Sequence, residues 1–104
     1  MGALIRRAEL GGAFAAVTRK GDARAGAVIV KTYDTRNRSC RLYSEAFGRD
    51  GERLWIEPVR SEQESEIDAF LQRQATYDPD LWVIEIEDSQ GRHFLTEPVA
   101  GERS

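Results

Sequence analysis

The 104-residue chain predicts an α+β fold: an antiparallel sheet of about five or six strands built from hairpins, one clear helix at about 61–77, and a short N-terminal helix packed on it. Three observations carry this. Ser61 and Glu64 form an S-x-x-E pattern ahead of the apolar positions Ile67, Phe70 and Leu71, and Pro79 forbids a helix beyond Asp78. Leu81 to Glu87 alternates, with Trp82, Ile84 and Ile86 on one side and Val83, Glu85 and Glu87 on the other. Ala27 to Tyr33 contains Val28, Ile29 and Val30, the β-branched composition of a strand.

In chain order, Ala3, Leu4, Ile5 and Ala8 share one side at helical spacing, and Gly11-Gly12 supplies a stop. Ala13 to Arg19 reads as a strand around Phe14 and Val17, and the loop KGDARAG joins it to the strand at Ala27–Tyr33. Asp34 to Ser39 turns the chain. Cys40 to Phe47 alternates as a half-buried strand, Arg49-Asp50-Gly51 makes a tight turn, and Arg53 to Glu57 returns. That turn is two or three residues long, and its length decides whether Leu54 and Ile56 or Trp55 face the core; the sequence leaves both open. The helix, with Glu62, Glu64 and Glu66 near its start, extends its stripe through Gln74 and Tyr77. At the end, Ser89-Gln90-Gly91 predicts a type I turn with a left-handed glycine, pairing Asp88 with Arg92, Glu87 with His93 and Ile86 with Phe94 in a last strand to about Glu97.

A chain of this length forms a single domain, 1–104, with a loose tail from about 99. Hydrophobic residues at 40% and charged residues at 32% give a folded-globule balance. The first ten residues include Arg6, Arg7 and Glu9 and lack a secretory apolar run, so no membrane association is expected. The single Cys40 excludes an intramolecular disulfide and fits a cytoplasmic setting. One Cys and one His also leave no zinc site of those ligands. Residues 1–60 carry 12 Lys and Arg against 7 Asp and Glu, whereas residues 61–104 carry 3 against 11. Such asymmetry can mark an anion-binding face, a head-to-tail oligomer, or two halves that attract each other within one fold.

The runs RRAELGGAFAAVTRKGDARAGAVIVK, Arg6 to Lys31, and YDPDLWVIEIEDSQGRHFLTEPV, Tyr77 to Val99, resemble a family of short alphaproteobacterial proteins known as domain of unknown function 1491. The most specific pieces are RKGD followed by AGAV, and DPDLWVIEIED followed by GRHF. The resemblance spans nearly the whole chain and implies a stand-alone bacterial protein; it carries no activity, cofactor or catalytic residue. Members of that family begin several residues earlier, with an aromatic before the first helix, whereas here Met1-Gly2 leads directly into Ala3, as in a trimmed or altered N-terminus.

Several groups are candidates for function. Arg19, Lys20 and Arg24, with Gly21 and Gly26, can cradle an anion, although a plain hairpin loop with a glycine at each end explains them better. It is not a P-loop, since no Lys-Ser/Thr follows and a strand replaces the helix. Arg36, Arg38 and Arg41 lie near Tyr33 and Tyr43 and extend this set toward a partner- or nucleic-acid-binding surface, against which the pI near 5.2 argues. Trp55 is the tryptophan expected at the surface and, with Tyr43 beside arginines, a candidate interface residue. His93 and Glu87 form a candidate acid–base pair for a small enzyme, with Cys40, Ser39 or Ser44 as nucleophile only if the fold brings one within reach. Asp78, Asp80, Glu85, Glu87 and Asp88 offer oxygens to a hard cation, but Asp78-Pro79-Asp80 is better explained as a connector, so no metal or other cofactor is expected.

The leading expectation is a non-enzymatic binding or protein-interaction module. Its partner is another protein or a second copy of the chain, held by opposite charge or an exposed strand edge. A His93/Glu87 enzyme and an RNA- or anion-binding domain are the alternatives.

Overall fold

Leu4 and Ala8, one turn apart, bury the inner side of a helix, and the structure, a computed structural model describing residues 2–22 and 27–100, runs it over Gly2–Leu10 as α1. The amide of Ala13 donates to the Ala8 carbonyl and that of Gly12 to Glu9, a Schellman stop in which Gly12 takes the left-handed conformation, φ 91°. Then follow β1 (Phe14–Arg19), β2 (Val28–Asp34), β3 (Ser39–Phe47), β4 (Arg53–Ile56), α2 (Glu64–Tyr77) and β5 (Trp82–Asp88). The protein is therefore α+β, with an open, mostly antiparallel sheet of five strands.

The sheet order is β1-β5-β2-β3-β4. β2, β3 and β4 form consecutive hairpins. The last strand inserts between the first two, antiparallel to β1 and parallel to β2, so β1 and β2 do not form the hairpin that chain order suggests. Nor does a closing hairpin follow β5. Gly91 is left-handed as expected, φ 66°, yet residues 91–97 pair with no strand, and Glu87 lies between Phe14 and Tyr33 instead of opposite His93. The segment instead crosses the sheet to the far edge, where Trp55 donates its amide to Pro98 and accepts from Ala100. Val99 is buried there, so the chain is anchored past the expected start of a loose tail; residues 101–104 lie outside the described ones.

Both faces of the sheet are covered. On one, α1 and the segment after β5 enclose Leu4, Ala8, Ala15, Val30, Tyr43, Trp55, Ile84 and Ile86. On the other, α2 covers Ile29, Cys40, Leu42, Leu81 and Val83 with Ile67. The second side of β5 is thus part of a core at Val83 and solvated only toward Glu87. Phe47 pairs with Arg53 and Gly48 donates to Glu52, which fixes a three-residue turn at 49–51. That register sends Trp55 into the α1 side, with its indole N–H on Glu97, and leaves Ile56 exposed, the reverse of the expected exposure.

The α2 helix ends at Tyr77, before Pro79, but begins at Glu64 and makes no side-chain cap. Ser61 accepts only the Gln63 amide, and Glu64, expected to close a capping box, bonds to Lys31 across the interface. Lys31 is buried and donates to Glu64 and Asp68, 2.9 Å each. Burial alone lowers its pKa, but the hydrogen bonds to Asp68 and Glu64 and the charge of Glu85 outweigh this and raise it. Tyr77 is 84% exposed and does not extend the helix stripe.

Candidate functional site

The β2–β3 turn and the loop after β5 meet at one end of the sheet, because β2 and β5 run parallel and finish together at the Asp34–Asp88 pair. Each loop is tied down by the aspartate that begins it. Asp34 accepts the amides of Arg36 and Asn37, and those bonds, the Asn37 amide first, lower its pKa. Asp88 is buried and accepts the Arg92 amide and two guanidinium bonds, at 2.9 and 3.0 Å. These, the Arg92 side chain foremost, hold its carboxyl down at about 2. Arg92 also reaches the Gly11 carbonyl, 2.8 Å, and lies 4.8 Å from the Phe94 ring centre.

Between these loops stands Arg41 on β3, half exposed, at the junction of three adjoining grooves. The first, about 380 Å³, runs past Thr32, Ser39 and Gln90; the second, about 420 Å³, past Tyr43, Arg92 and His93; the third, about 210 Å³, past Arg60 and Ser61. The Arg41 guanidinium lies 3.5 Å from Glu62 and 4.0 Å from Glu57, and is hydrogen-bonded to Tyr43. Tyr43 meets His93 edge to face at 5.1 Å, and His93 Nδ1 accepts the Leu95 amide at 2.9 Å, leaving Nε2 to carry the proton of the neutral ring. At Lys31 and Arg41 the basic first part of the chain meets the acidic second part in ion pairs.

Arg36, Arg38 and Arg41 do gather here, with the first two exposed in the β2–β3 turn. Arg19 and Lys20 lie at the opposite end, where Arg19 donates to the Pro79 carbonyl; Arg24 lies outside the described residues. The expected basic set is therefore split. Tyr43 and Trp55 are buried, which corrects their placement at an exposed interface. His93 packs on Tyr43 on the α1 side, whereas Glu87 points to the α2 side, so the expected pair is separated by the sheet. Cys40 is buried beneath α2, and burial with the charge of Glu64 pushes its thiol up to about 11, unsuited to nucleophilic work. Ser44 shares that face with Cys40; Ser39 lines the first groove. Among the described residues no three His, Cys, Asp or Glu side chains converge as metal ligands, and no helix is long and apolar enough to cross a membrane. The sequence paired Asp88 with Arg92 only as cross-strand neighbours and not as the clamp that shapes this site; the i,i+4 spacing and intervening glycine were the available signal.

Residues 1–96 match the family described as a protein of unknown function, DUF1491. A crystal structure of a DUF1491 protein from Caulobacter crescentus CB15 is 66% identical, covering 94% of this chain and 92% of that one, with a TM-score of 0.91. An NMR structure of a DUF1491 protein from the same organism is 65% identical, covering 96% and 91%, with a TM-score of 0.88. The solution structure of Atu0922 from A. tumefaciens is 36% identical over 92% and 87%, with a TM-score of 0.77. No curated protein matches the sequence. The fold and its sequence thus agree on one assignment, and the chain belongs to the DUF1491 family.

Proposed function

We propose that the protein is a non-enzymatic binding module that engages a protein partner through the Arg41 groove. The observation that carries this is the Arg41 side chain, 53% exposed where three grooves join, with its carboxylate partners no closer than 3.5 Å. A partner carboxylate offering two parallel hydrogen bonds competes well with such loose pairs. Arg36 and Arg38 on the adjoining turn add attraction for an acidic segment, and the partly exposed His93 ring, backed by the buried Tyr43, offers aromatic contact beside the charge. A cytoplasmic setting fits a chain whose only cysteine is a buried free thiol. The separation of His93 from Glu87 removes the pair on which the enzyme reading rested, and the division of the basic residues between two ends weakens the nucleic-acid reading.

The test compares tagged wild-type protein with Arg41→Ala in recovery of partners from cells by mass spectrometry, followed by titration of the purified partner. One protein is enriched by the wild type, and Arg41→Ala weakens its binding by about tenfold or more. Equal recovery by both forms, or no enriched protein, contradicts the proposal.

A further inference from the structure

The two edges of the sheet are finished differently. At β4 the chain covers its own edge, through the backbone bonds of Trp55 to Pro98 and Ala100. At β1 the described residues pair only inward, with β5, so a row of backbone groups faces outward. Side chains flank this edge on both faces of the sheet: Phe14 is 65% exposed on the α2 side and Val17 39% on the α1 side, and Leu10, at the end of the helix leading into the strand, is 82% exposed. Ala13 to Val17 contains no charge and no proline, and the ladder irregularity that blunts an edge comes only between Val17 and Arg19.

We propose that β1 is a self-association edge, pairing antiparallel with β1 of a second copy and joining two five-stranded sheets into one. Self-complementarity argues for a second copy. A two-fold axis normal to the sheet, passing at Ala15 or at Ala16, keeps each face continuous and sets alanine against alanine at its centre. Arg19, the nearest charge, then falls opposite Gly11 or Ala13 of the second copy, so no like charges meet across the pair. The Phe14 and Val17 side chains of both copies gain cover on the two faces. The Arg41 groove, on the strand three away from this edge, stays available in the dimer.

Sedimentation of the wild type from about 10 µM to about 1 mM, the range suited to a small interface, reads the association directly. Isotope-filtered NOEs between labelled and unlabelled chains locate it. The expected result is a concentration-dependent dimer with intermolecular NOEs within Phe14–Val17, and a dissociation constant raised about tenfold or more by Val17→Lys. A wild type that stays monomeric at about 1 mM overturns the proposal. So does a dimer whose NOEs lie elsewhere, or a folded Val17→Lys variant that associates as tightly as the wild type. If Val17→Lys does not fold, the wild-type NOEs decide.

Discussion

Asp88→Asn tests the clamp that shapes the Arg41 site. The Asp88 carboxyl falls from its ordinary 3.8 to about 2 in the folded chain, chiefly through the Arg92 side chain. Unscreened, that shift is worth about 2.5 kcal/mol at neutral pH. Little of the Asp88 side chain touches water, but it lies at the sheet's end close to bulk solvent and its partner is 42% exposed, so screening brings the figure to about 1.5 kcal/mol. For a chain of this length that is about 7 °C in melting temperature. The sign follows from a depressed carboxylate: the contribution is complete above the unfolded pKa and is lost as pH falls toward the folded one. Melting of both proteins by circular dichroism across about pH 2 to 7 should show wild type ahead at neutral pH and the gap narrowing from about pH 4 to closure near pH 2. A neutral-pH gap below about 0.5 kcal/mol, or one that persists unchanged into acid, refutes the reasoning. The same substitution should weaken the Tyr43–His93 ring contact, read as movement of the His93 ring resonances.

Three further outcomes follow from the packing. Gly21→Ala should cost more than about 2 kcal/mol in urea denaturation, because a β-carbon there collides with the backbone of Asp80 and Leu81, which cannot yield without moving the start of β5. Lys31→Ala should cost about 2 kcal/mol at pH 7, allowing for the half-exposed positions of Glu64 and Asp68. That cost should shrink in acid as Glu85, 4.0 Å from the Lys31 ammonium and with a pKa that burial raises, takes up its proton; chemical denaturation at two pH values reads the difference. A chain ending at Glu97 loses the burial of Val99 and two backbone bonds to Trp55, about 2 to 3 kcal/mol, and should scatter more light on heating as the β4 edge opens.

The parts of the fold legible in the sequence were those set by neighbours in the chain. Gly11-Gly12 stops α1, Pro79 ends α2 and Gly91 turns left-handed, each through backbone constraints a few residues wide. What escaped were choices made by distant residues. The start of α2 shifts because Lys31, 33 residues away, claims the Glu64 carboxylate. The position of β5 was hidden because strict alternation suggests one solvated face, although the unbroken run Leu81–Ile84 is also what a strand covered on both sides shows. For the site, the Arg36–Arg41 cluster was visible as composition, but the contact of His93 with Tyr43 depends on a segment that leaves the sheet. No local pattern encodes that departure.

The insertion of β5 between β1 and β2 also sets an order of assembly. The β2-β3-β4 meander closes through near-neighbour contacts and can form while the chain is still growing. β1 is made before all of these strands, yet its one partner within the chain arrives more than sixty residues later. Until then the backbone of this apolar strand has two unpaired edges, and the completed sheet waits on the last strand synthesised. Refolding rate should therefore respond more strongly to changes that slow capture of β5, such as a weakened Ile84 or Ile86, than to changes in β1 itself.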